Sequence, residues 1–382
     1  MLRLRSKQDV EDFVRGCTFL GTGGGGSPKV GLKVLLEDLE KYGEIIIHDV
    51  SSIRDDAYVV TPYLMGSIAP RTSEVIAKMT SLGLVKRIGI ADRILTYAVM
   101  ELEKYLGLEF EGIVAIELGG GNTPGPVDVA VTLGKVIVDG DYAGRAIPEI
   151  DQITPYLYDI PPYPAVYVDE YGNKTVVSKA INYMMAERIG KLISVAAFGL
   201  VGGACFAITG REMKRIIIPG TLTEAYVIGK TLREAVEVGK DPAVEVAKKM
   251  NGYVLFRGVV TKKDWEDREG YMWGTTYIKG VEEFEGHEAK IFFKNENHVM
   301  WFNEKVIATS PDIVEVIDMK AGEPITNTDL KEGMKVSVVG LRGREQFRTP
   351  RGLEILGPRH FGFDIDYIPI EKRVLDFPVI KP

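Results

Sequence analysis

Apolar and polar positions alternate between helical and strand-like spacing along the first two thirds of the chain. Val30–Glu40 carries apolar side chains at i, i+3 and i+4, the spacing of an amphipathic helix. Further helices are predicted at Val10–Val14, Ser73–Leu82, Asp92–Leu106, Ser178–Leu192 and Leu222–Met250, with Ser73 and Asp92 as N-caps. Short apolar runs predict strands at Glu44–Ile47, Ala57–Thr61, Val85–Ile90, Gly112–Ile116 and Lys135–Val138. This alternation predicts an α/β domain with a parallel or mixed sheet covered by helices.

After Asn251 the pattern changes to short alternating runs separated by turn residues, which is typical of a β-barrel or sandwich. The predicted strands are Tyr253–Thr261, Gly274–Val281, Glu288–Phe293, Val299–Phe302, Glu304–Ala308, Ile313–Ile317 and Lys335–Val339. We therefore predict an α/β domain at 1–250 and a smaller β-rich domain at 251–355. The aromatic tail, 356–382, is expected to pack back across the junction and to join the first domain. Clefts between domains favour small-molecule sites.

The amino-acid composition indicates which class of binding partner and which cellular compartment to expect. The net charge is −7 and no block of Lys and Arg occurs, so a nucleic-acid surface is not expected and a small-molecule substrate is favoured. Cys17 and Cys205 lie far apart beside apolar residues, as reduced thiols of a cytoplasmic protein would. The N-terminus lacks the apolar core of a signal peptide. The longest apolar stretch, Ile193–Ile208, is interrupted by glycines, so no membrane span is predicted.

A first glycine-rich loop, Gly21–Gly26, precedes the helix that contains Val30. Its backbone N–H groups could face an anion at the helix N-terminus, so Gly23, Gly24 and Gly25 are candidate substrate-binding residues. The glycine spacing, with Asp49 following a strand, also satisfies a dinucleotide fingerprint. However, the residues before Gly21 fit a helix at least as well as the strand that such a fingerprint needs. A tight structural turn is the third interpretation.

A second glycine-rich loop runs from Glu117 to Pro126 after a predicted strand. Glycines at a strand end allow close approach of backbone to a ligand, and Asn122 and Thr123 supply neutral donors and acceptors. Glu117, Asn122 and Thr123 are therefore candidate substrate-binding residues. A strand–helix turn without a ligand is the alternative, but two such loops in one α/β domain should meet at the same face.

The segment from Asp139 to Glu149 concentrates charge at the end of the next predicted strand. Asp139, Asp141, Arg145 and Glu149 are the candidate catalytic residues, because carboxylates there can activate water or hold a metal and the arginine can bind a carboxylate or oxyanion. Neighbouring carboxylates also raise one another's pKa toward neutrality. A solvated loop joined by Arg–Asp pairs is the alternative interpretation.

The chain has 4 histidines, none at the i, i+4 spacing of a helical zinc motif, and no Cys-x-x-Cys. A catalytic divalent metal, zinc or manganese, could still be held by Asp141, His298 and His360. The chain has no Gly-x-Ser-x-Gly elbow, which argues against a serine hydrolase mechanism.

Five motifs occur in order and cover almost the whole chain: Leu20–Gly26, Glu117–Asn122, Asp139–Glu149, Lys294–Glu296 and Gly357–Asp364. Together they resemble the S-methyl thiohydantoin desulfurase-like family, which is linked to hydantoinase/oxoprolinase proteins. The resemblance implies an N-terminal three-layer α/β/α domain joined to a C-terminal β-barrel-like domain. It also implies chemistry on a hydantoin or thiohydantoin ring, with hydrolytic loss of sulfur.

The leading hypothesis is therefore a hydrolase that acts on a cyclic ureide, thiohydantoin or lactam. A different class of function is a non-catalytic subunit of a hydantoinase/oxoprolinase-type complex, which would expose a sizeable apolar patch. Nucleotide binding at Gly21–Gly26 is a third possibility. We also expect a homo-oligomer.

Overall fold

The first two thirds of the chain form a nine-stranded mixed sheet with the order β1-β2-β5-β4-β3-β8-β6-β7, and β9 pairs with β5 at its end. The computed structural model describes residues 1–66, 72–84 and 93–382. The strands are β1 (Leu2–Leu4), β2 (Ile45–His48), β3 (Tyr58–Gly66), β4 (Phe110–Ala115), β5 (Val136–Asp141), β6 (Ala165–Asp169), β7 (Lys174–Val177), β8 (Leu200–Thr209) and β9 (Ile218–Pro219). β2, β5, β4 and β3 pair in parallel, so their carboxyl ends lie at one edge of the sheet.

Successive residues of the central strands bury their side chains in two different apolar cores, because strand side chains alternate between faces. Ile113 joins one core and Val114 the other, and Ile137 and Val138 divide in the same way. Within the described residues up to Met250, ten helices accompany this sheet: α1 (Lys7–Leu20), α2 (Pro28–Tyr42), α3 (Ser73–Ser81), α4 (Ile94–Leu106), α5 (Pro124–Leu133), α6 (Thr154–Leu157), α7 (Tyr183–Ala196), α8 (Gly210–Ile216), α9 (Thr221–Glu237) and α10 (Pro242–Lys249). The predicted three-layer α/β/α architecture is confirmed.

Helices α1 and α9 cross at a pair of glycines. A side chain on Gly16 would place its Cβ 1.6 Å from the carbonyl oxygen of Ala225, and one on Gly229 would lie 1.8 Å from the oxygen of Asp12. Only glycine allows the two backbones to approach so closely. The contact fixes the direction of α1, whose C-terminal end leads into the first glycine-rich loop.

The remainder of the chain forms a seven-stranded antiparallel sheet that curls into a half-barrel, as the alternating runs predict. Its order is β14-β13-β12-β11-β10-β16-β15. The strands are β10 (Tyr253–Arg268), β11 (Tyr271–Gly280), β12 (Glu288–Lys294), β13 (Glu296–Phe302), β14 (Lys305–Thr309), β15 (Ile313–Asp318) and β16 (Lys335–Leu341), followed by helices α11 (Pro350–Leu356) and α12 (Ile370–Arg373). In the tail, Ile370 and Val374 pack into the core of this second sheet, and Ile380 pairs with Val254.

Several predicted helices differ from the observed ones for local reasons. Thr72, not Ser73, caps α3, because its side chain accepts from the Val75 N–H. The predicted helix Leu222–Met250 is two helices, since Gly239 adopts a positive φ and Pro242 begins a new helix. The predicted strand Val85–Ile90 and the predicted cap Asp92 lie outside the described residues.

Within the parts of the chain that the structure describes, no helix combines the length and apolar character needed to cross a bilayer.

Candidate functional site

The two glycine-rich loops meet at the carboxyl edge of the parallel strands. The carbonyl oxygen of Gly25 accepts from the N–H groups of Gly121 and Asn122, at 3.0 and 3.1 Å. A Cβ on Gly25 would lie 2.5 Å from the Cα of Gly119, so a side chain in this crossing would separate the loops. The prediction that the two loops share one face of the domain is therefore confirmed, and glycine is required where they touch.

The first loop also binds the half-barrel. The Thr22 carbonyl accepts from the Asn297 N–H at 2.7 Å, and the Gly23 carbonyl accepts from the Asn327 N–H at 2.6 Å. Gly23 is buried, whereas Gly24 and Gly26 are half-buried. The loop is thus fixed from both sides, and solvent can reach it at Gly24 and Gly26.

Glu117 lies at the start of the second loop with a nearly buried carboxylate. Its two oxygens accept from the Asn122 side-chain amide and from the Ile147 N–H, the latter at 2.7 Å. Burial raises the pKa of Glu117 to about 7, although these two donors favour its ionised form. A carboxyl group with this pKa can gain or lose a proton at physiological pH.

Glu296 approaches the first glycine-rich loop from the half-barrel, and the charge of Glu117 acts on it. Lys294 and Glu296 pair across the turn at Asn295, so their side chains project from the same face of the sheet toward the glycine-rich loops. A Cβ on Gly24 would lie 1.8 Å from the Glu296 Oε1 atom, which shows how closely this carboxyl group approaches the loop. Burial, followed by the charge of Glu117, raises the pKa of Glu296 well above its usual range. Its buried Oε2 atom has no hydrogen-bond partner among the described residues.

A second group of charges adjoins the carboxyl pair. Glu149 binds Lys294 Nζ at 2.7 Å and His360 Nε2 through its other oxygen. Although burial alone would raise the pKa of Glu149, hydrogen bonds from His360 and Lys294 outweigh burial and lower it to about 2. Burial alone would lower the pKa of His360, but the Glu149 carboxylate outweighs it and raises that pKa. Glu149 is therefore ionised and binds both Lys294 and His360.

Asp151 and Glu187 extend this cluster toward helix α7. Glu187 accepts from the Ile150 N–H at 2.8 Å and from the Tyr271 hydroxyl. Burial, followed by the charge of Glu149, raises the pKa of Asp151 to about 6, and its buried Oδ1 atom has no partner within the described structure. The half-buried Asp151 thus adds an unpaired acceptor to the cluster.

Arg145 lies beneath the glycine-rich loop, only 1% exposed. Its Nε donates to the Ala146 carbonyl at 3.1 Å, and its terminal nitrogens donate to the Thr22 hydroxyl at 2.9 Å and to the carbonyls of Asn297 and Asp312 at 2.9 and 3.1 Å. Burial lowers the pKa of Arg145 to about 10, so the group is still a cation at neutral pH. All three nitrogens bind protein acceptors that join the loop to the half-barrel.

The other predicted residues of this segment shape the backbone around the site. Asp139 accepts from the N–H groups of Leu222 and Thr223, at 3.1 and 3.0 Å, and so caps helix α9. Asp141 is fully buried and accepts from the Ala143 and Gly144 N–H groups, at 3.0 and 2.7 Å. Burial raises the pKa of Asp141 to about 6.

In the second loop Thr123 has a similar backbone role, because its hydroxyl accepts from the Gly119 N–H at 3.0 Å and contacts the Glu117 carbonyl at 3.2 Å.

The proposed metal ligands do not form one donor set. Within 1–66, 72–84 and 93–382 no group of three His, Cys, Asp or Glu side chains is arranged to hold a metal. His298 is fully buried and stacks on Phe361 with 3.6 Å between ring centres, and burial lowers its pKa well below the usual range. His360 binds Glu149, and Asp141 binds its own turn. The described side chains therefore do not assemble the predicted set of Asp141, His298 and His360 around a metal, so no step below involves one.

Two cavities in the described part of the chain lie apart from the ionisable cluster. A cavity of about 410 Å³ is lined by other residues, among them Tyr158, Tyr163 and Arg215. A smaller one, about 260 Å³, borders the first loop at Thr18 and Pro28. The convergence of ionisable groups around the glycine-rich loops therefore defines the candidate site.

Several residues of this cluster carry no sequence motif of their own. Glu187, Tyr271 and Trp273 lie on a helix and a strand with ordinary amphipathic patterns. Lys294 and Glu296 belong to a segment noted above only as part of the family resemblance. Apart from His298, that segment is the sequence feature that indicates a contribution of the half-barrel to the site. The first loop follows helix α1, not a strand, so the strand–turn–helix context of a dinucleotide fingerprint is absent.

Two sequence profiles together match nearly the full chain: the S-Me-THD-like N-terminal domain at residues 8–179 and the S-Me-THD-like C-terminal domain at 181–370. A crystal structure of a protein from Chromobacterium violaceum, a structural-genomics target, shares the fold with a TM-score of 0.77 at 20% identity. The match covers 97% of this chain and 100% of that one. No curated protein matches this chain.

Proposed function

This chain belongs to the S-Me-THD-like family, and we propose that it is a hydrolase that removes sulfur from a thiohydantoin-type ring. The observation that carries the proposal is the buried pair Glu117 and Glu296 beside the two glycine-rich loops. Two neighbouring carboxyl groups with separated pKa values supply a proton acceptor and a proton donor at the same pH. Such a pair suits hydrolysis, in which water loses a proton and the leaving group gains one.

The reaction begins with a water molecule beside the ionised Glu117. The carboxylate accepts a proton from the water as its oxygen attacks the ring carbon that bears sulfur. The carbon–sulfur bond of the resulting tetrahedral adduct then breaks, and the departing sulfur takes a proton from the neutral Glu296 carboxyl group. The hydroxyl group of the adduct gives up its proton at the same time, to the ring nitrogen of an S-methylated substrate or to the sulfur of a C=S substrate. An S-methylated ring thus gives hydantoin and methanethiol, and a ring with a C=S group gives hydantoin and hydrogen sulfide. A proton transferred from Glu117 to Glu296 restores the pair.

The surrounding residues position this pair. Asn122 and the Ile147 N–H orient the Glu117 carboxylate. Glu149 holds Lys294, which lies two residues before Glu296 on the same turn. Arg145 fixes the loop that covers Glu296, so we assign it a positioning role in this proposal.

The pH dependence of the wild-type enzyme tests the role of Glu117. Because the base must be ionised, kcat/KM for an S-methylated thiohydantoin should rise with pH and level off above an inflection near the Glu117 pKa of about 7. The measurement is initial thiol release, detected with a thiol reagent, from about pH 5 to pH 9. A rate independent of pH across this range would contradict a carboxylate base with that pKa.

A second candidate function is a subunit that binds a hydantoinase/oxoprolinase-type partner, and the exposed face of α7 favours it. Met184, Leu192 and Val195 are 75, 58 and 69% exposed, and Ile181, just before the helix, is 85% exposed. The exposed Arg188 lies in the middle of this face. Like charges would oppose each other if a second copy docked symmetrically there, so a partner with an apolar segment and a facing carboxylate fits better.

The double variant Met184→Glu with Leu192→Glu tests this second candidate, with Leu375→Glu, at a site 68% exposed, as the matched control. Light scattering after size exclusion should show a complex of the wild type and the control with a purified hydantoinase/oxoprolinase-type protein, and none for the double variant. Equal complex formation by all three would contradict this interface. A wild type that forms only a homodimer through this face would contradict the proposed partner.

A further inference from the structure

Besides Glu296, the polar atoms buried without a partner near the site include one donor and one acceptor. The indole Nε1–H of Trp273 and the Oδ1 atom of Asp151 make no hydrogen bond within the described residues. Buried polar groups are almost always paired, so an unpaired group calls for an explanation. Both residues are half-buried, which leaves part of each side chain open to a ligand.

Both residues adjoin the Glu149–Lys294 pair. Trp273 lies opposite Lys294 on the neighbouring strand, and the Lys294 ammonium group is 4.9 Å from the indole centre. Asp151 follows Glu149 by two residues, and the charges of Glu149 and His360 both act on it. The same two segments, 147–151 and 294–296, also belong to the surroundings of the carboxyl pair. The Ile147 N–H binds Glu117, and Glu296 lies two residues after Lys294.

The indole is held firmly in place. The Arg268 guanidinium lies 4.2 Å from the ring centre, and Phe292 packs at 6.0 Å. The Tyr271 hydroxyl, two residues before Trp273, is anchored on Glu187 of helix α7. A donor fixed in this way can recognise a carbonyl group with little loss of side-chain freedom.

We propose that Trp273 and Asp151 are specificity-determining residues that bind the amide edge of the substrate ring, the indole N–H donating to the ring carbonyl and the Asp151 carboxylate accepting from the adjacent ring N–H. This inference rests on the proposed function and identifies its substrate class. The substrate is a ring with an unsubstituted N–H next to C=O, as in hydantoins, thiohydantoins and related cyclic ureides. A ring alkylated at that nitrogen is a poor substrate, because the Asp151 acceptor is then left buried and unpaired.

A cycle of variants and substrates tests the inference. Methylation of the ring nitrogen next to the carbonyl should lower kcat/KM of the wild type at least tenfold, mostly through KM. In Asp151→Leu the kcat/KM values of the two substrates should differ by less than twofold. Asp151→Asn, which still offers an acceptor oxygen, should restore part of the preference for the unmethylated ring. A merely structural role for Asp151 would lower both rates equally and leave the ratio of the two substrates unchanged.

Trp273→Phe provides a second test, with Trp265→Phe, on the same hairpin and 58% exposed, as the control. The Trp273 variant should raise KM for the unmethylated ring about tenfold, and the control should match the wild type. An N-methyl penalty that persists in Asp151→Leu, or a wild type that accepts both rings equally, would overturn the inference and leave the proposed hydrolysis intact. If the wild type neither binds nor converts either ring, both proposals fail.

Discussion

Replacement of Glu117 by Gln should lower kcat for thiol release by about 10²- to 10⁴-fold, the range typical of a lost general base. Glutamine has nearly the same size and can still accept a hydrogen bond from the Ile147 N–H, which binds Glu117 at 2.7 Å in the wild type. It cannot take a proton from water. KM should change by no more than a few-fold, because the packing of the two glycine-rich loops against each other does not depend on the charge of this group.

The control for this variant is Glu354→Gln, at an exposed position of helix α11. The control should retain the wild-type rate, and thermal unfolding should show that both variants are folded. If Glu117→Gln keeps more than about a tenth of the wild-type kcat, Glu117 is not the base, since even the weakest general-base contributions exceed that loss.

The second large effect concerns stability. Replacement of Arg145 by Met should lower the free energy of unfolding by about 3–5 kcal/mol, the cost of leaving buried charged and polar partners uncompensated. Thr22, Asn297 and Asp312 would all lose a hydrogen bond from the guanidinium. Methionine can fill much of the volume, but it cannot offset the carboxyl groups of Asp312 and Glu117, whose charges act on Arg145.

Arg342→Met is the matched control, because the Arg342 side chain is 57% exposed and its ion pair with Glu345 lies at the surface. Its unfolding free energy should stay within about 1 kcal/mol of the wild type, as for most surface ion pairs. Denaturant titration measures both variants. Equal stabilities for Arg145→Met and Arg342→Met would contradict the buried network described above.

Much of the fold follows from the local pattern of apolar and polar residues. The alternating runs after Asn251 correspond closely to strands β10 to β16, because each strand of a half-barrel has one buried and one more exposed face. Helix α2 follows from its apolar spacing. The errors arose where a single residue decides the outcome, as at Thr72, or where Gly239 and Pro242 end one helix and begin another.

The candidate site was only partly predictable. Glu117, Asn122 and the glycine-rich loops carry a local signal, since glycines at a strand end indicate close backbone approach. The partners of Arg145 carry no local signal, because Asn297 lies 152 residues further along the chain and the contact depends on how the half-barrel docks. Glu187 and Trp273 are likewise ordinary residues of a helix and a strand until the tertiary structure brings them to the cluster.

The position of the segment from Asp139 to Glu149 was predictable from the sequence, but the roles of its residues were not. Its position at the end of β5 was predictable from the apolar run before it. The separate roles of its residues depend on the tertiary structure, because Asp139 caps a distant helix and Arg145 donates hydrogen bonds to the half-barrel. Only Glu149 extends from this segment into the group of charges beside the carboxyl pair.

The most direct test of the central claim is hydrolysis of an S-methylated thiohydantoin in water enriched in oxygen-18, followed by mass spectrometry of the ring product. We predict stoichiometric methanethiol and a hydantoin that carries one oxygen-18 atom at the carbon that bore sulfur, with product formation nearly abolished in Glu117→Gln. Formation of hydantoin without the label, or the absence of any thiol release by the wild type, would contradict a hydrolytic enzyme built around Glu117 and Glu296.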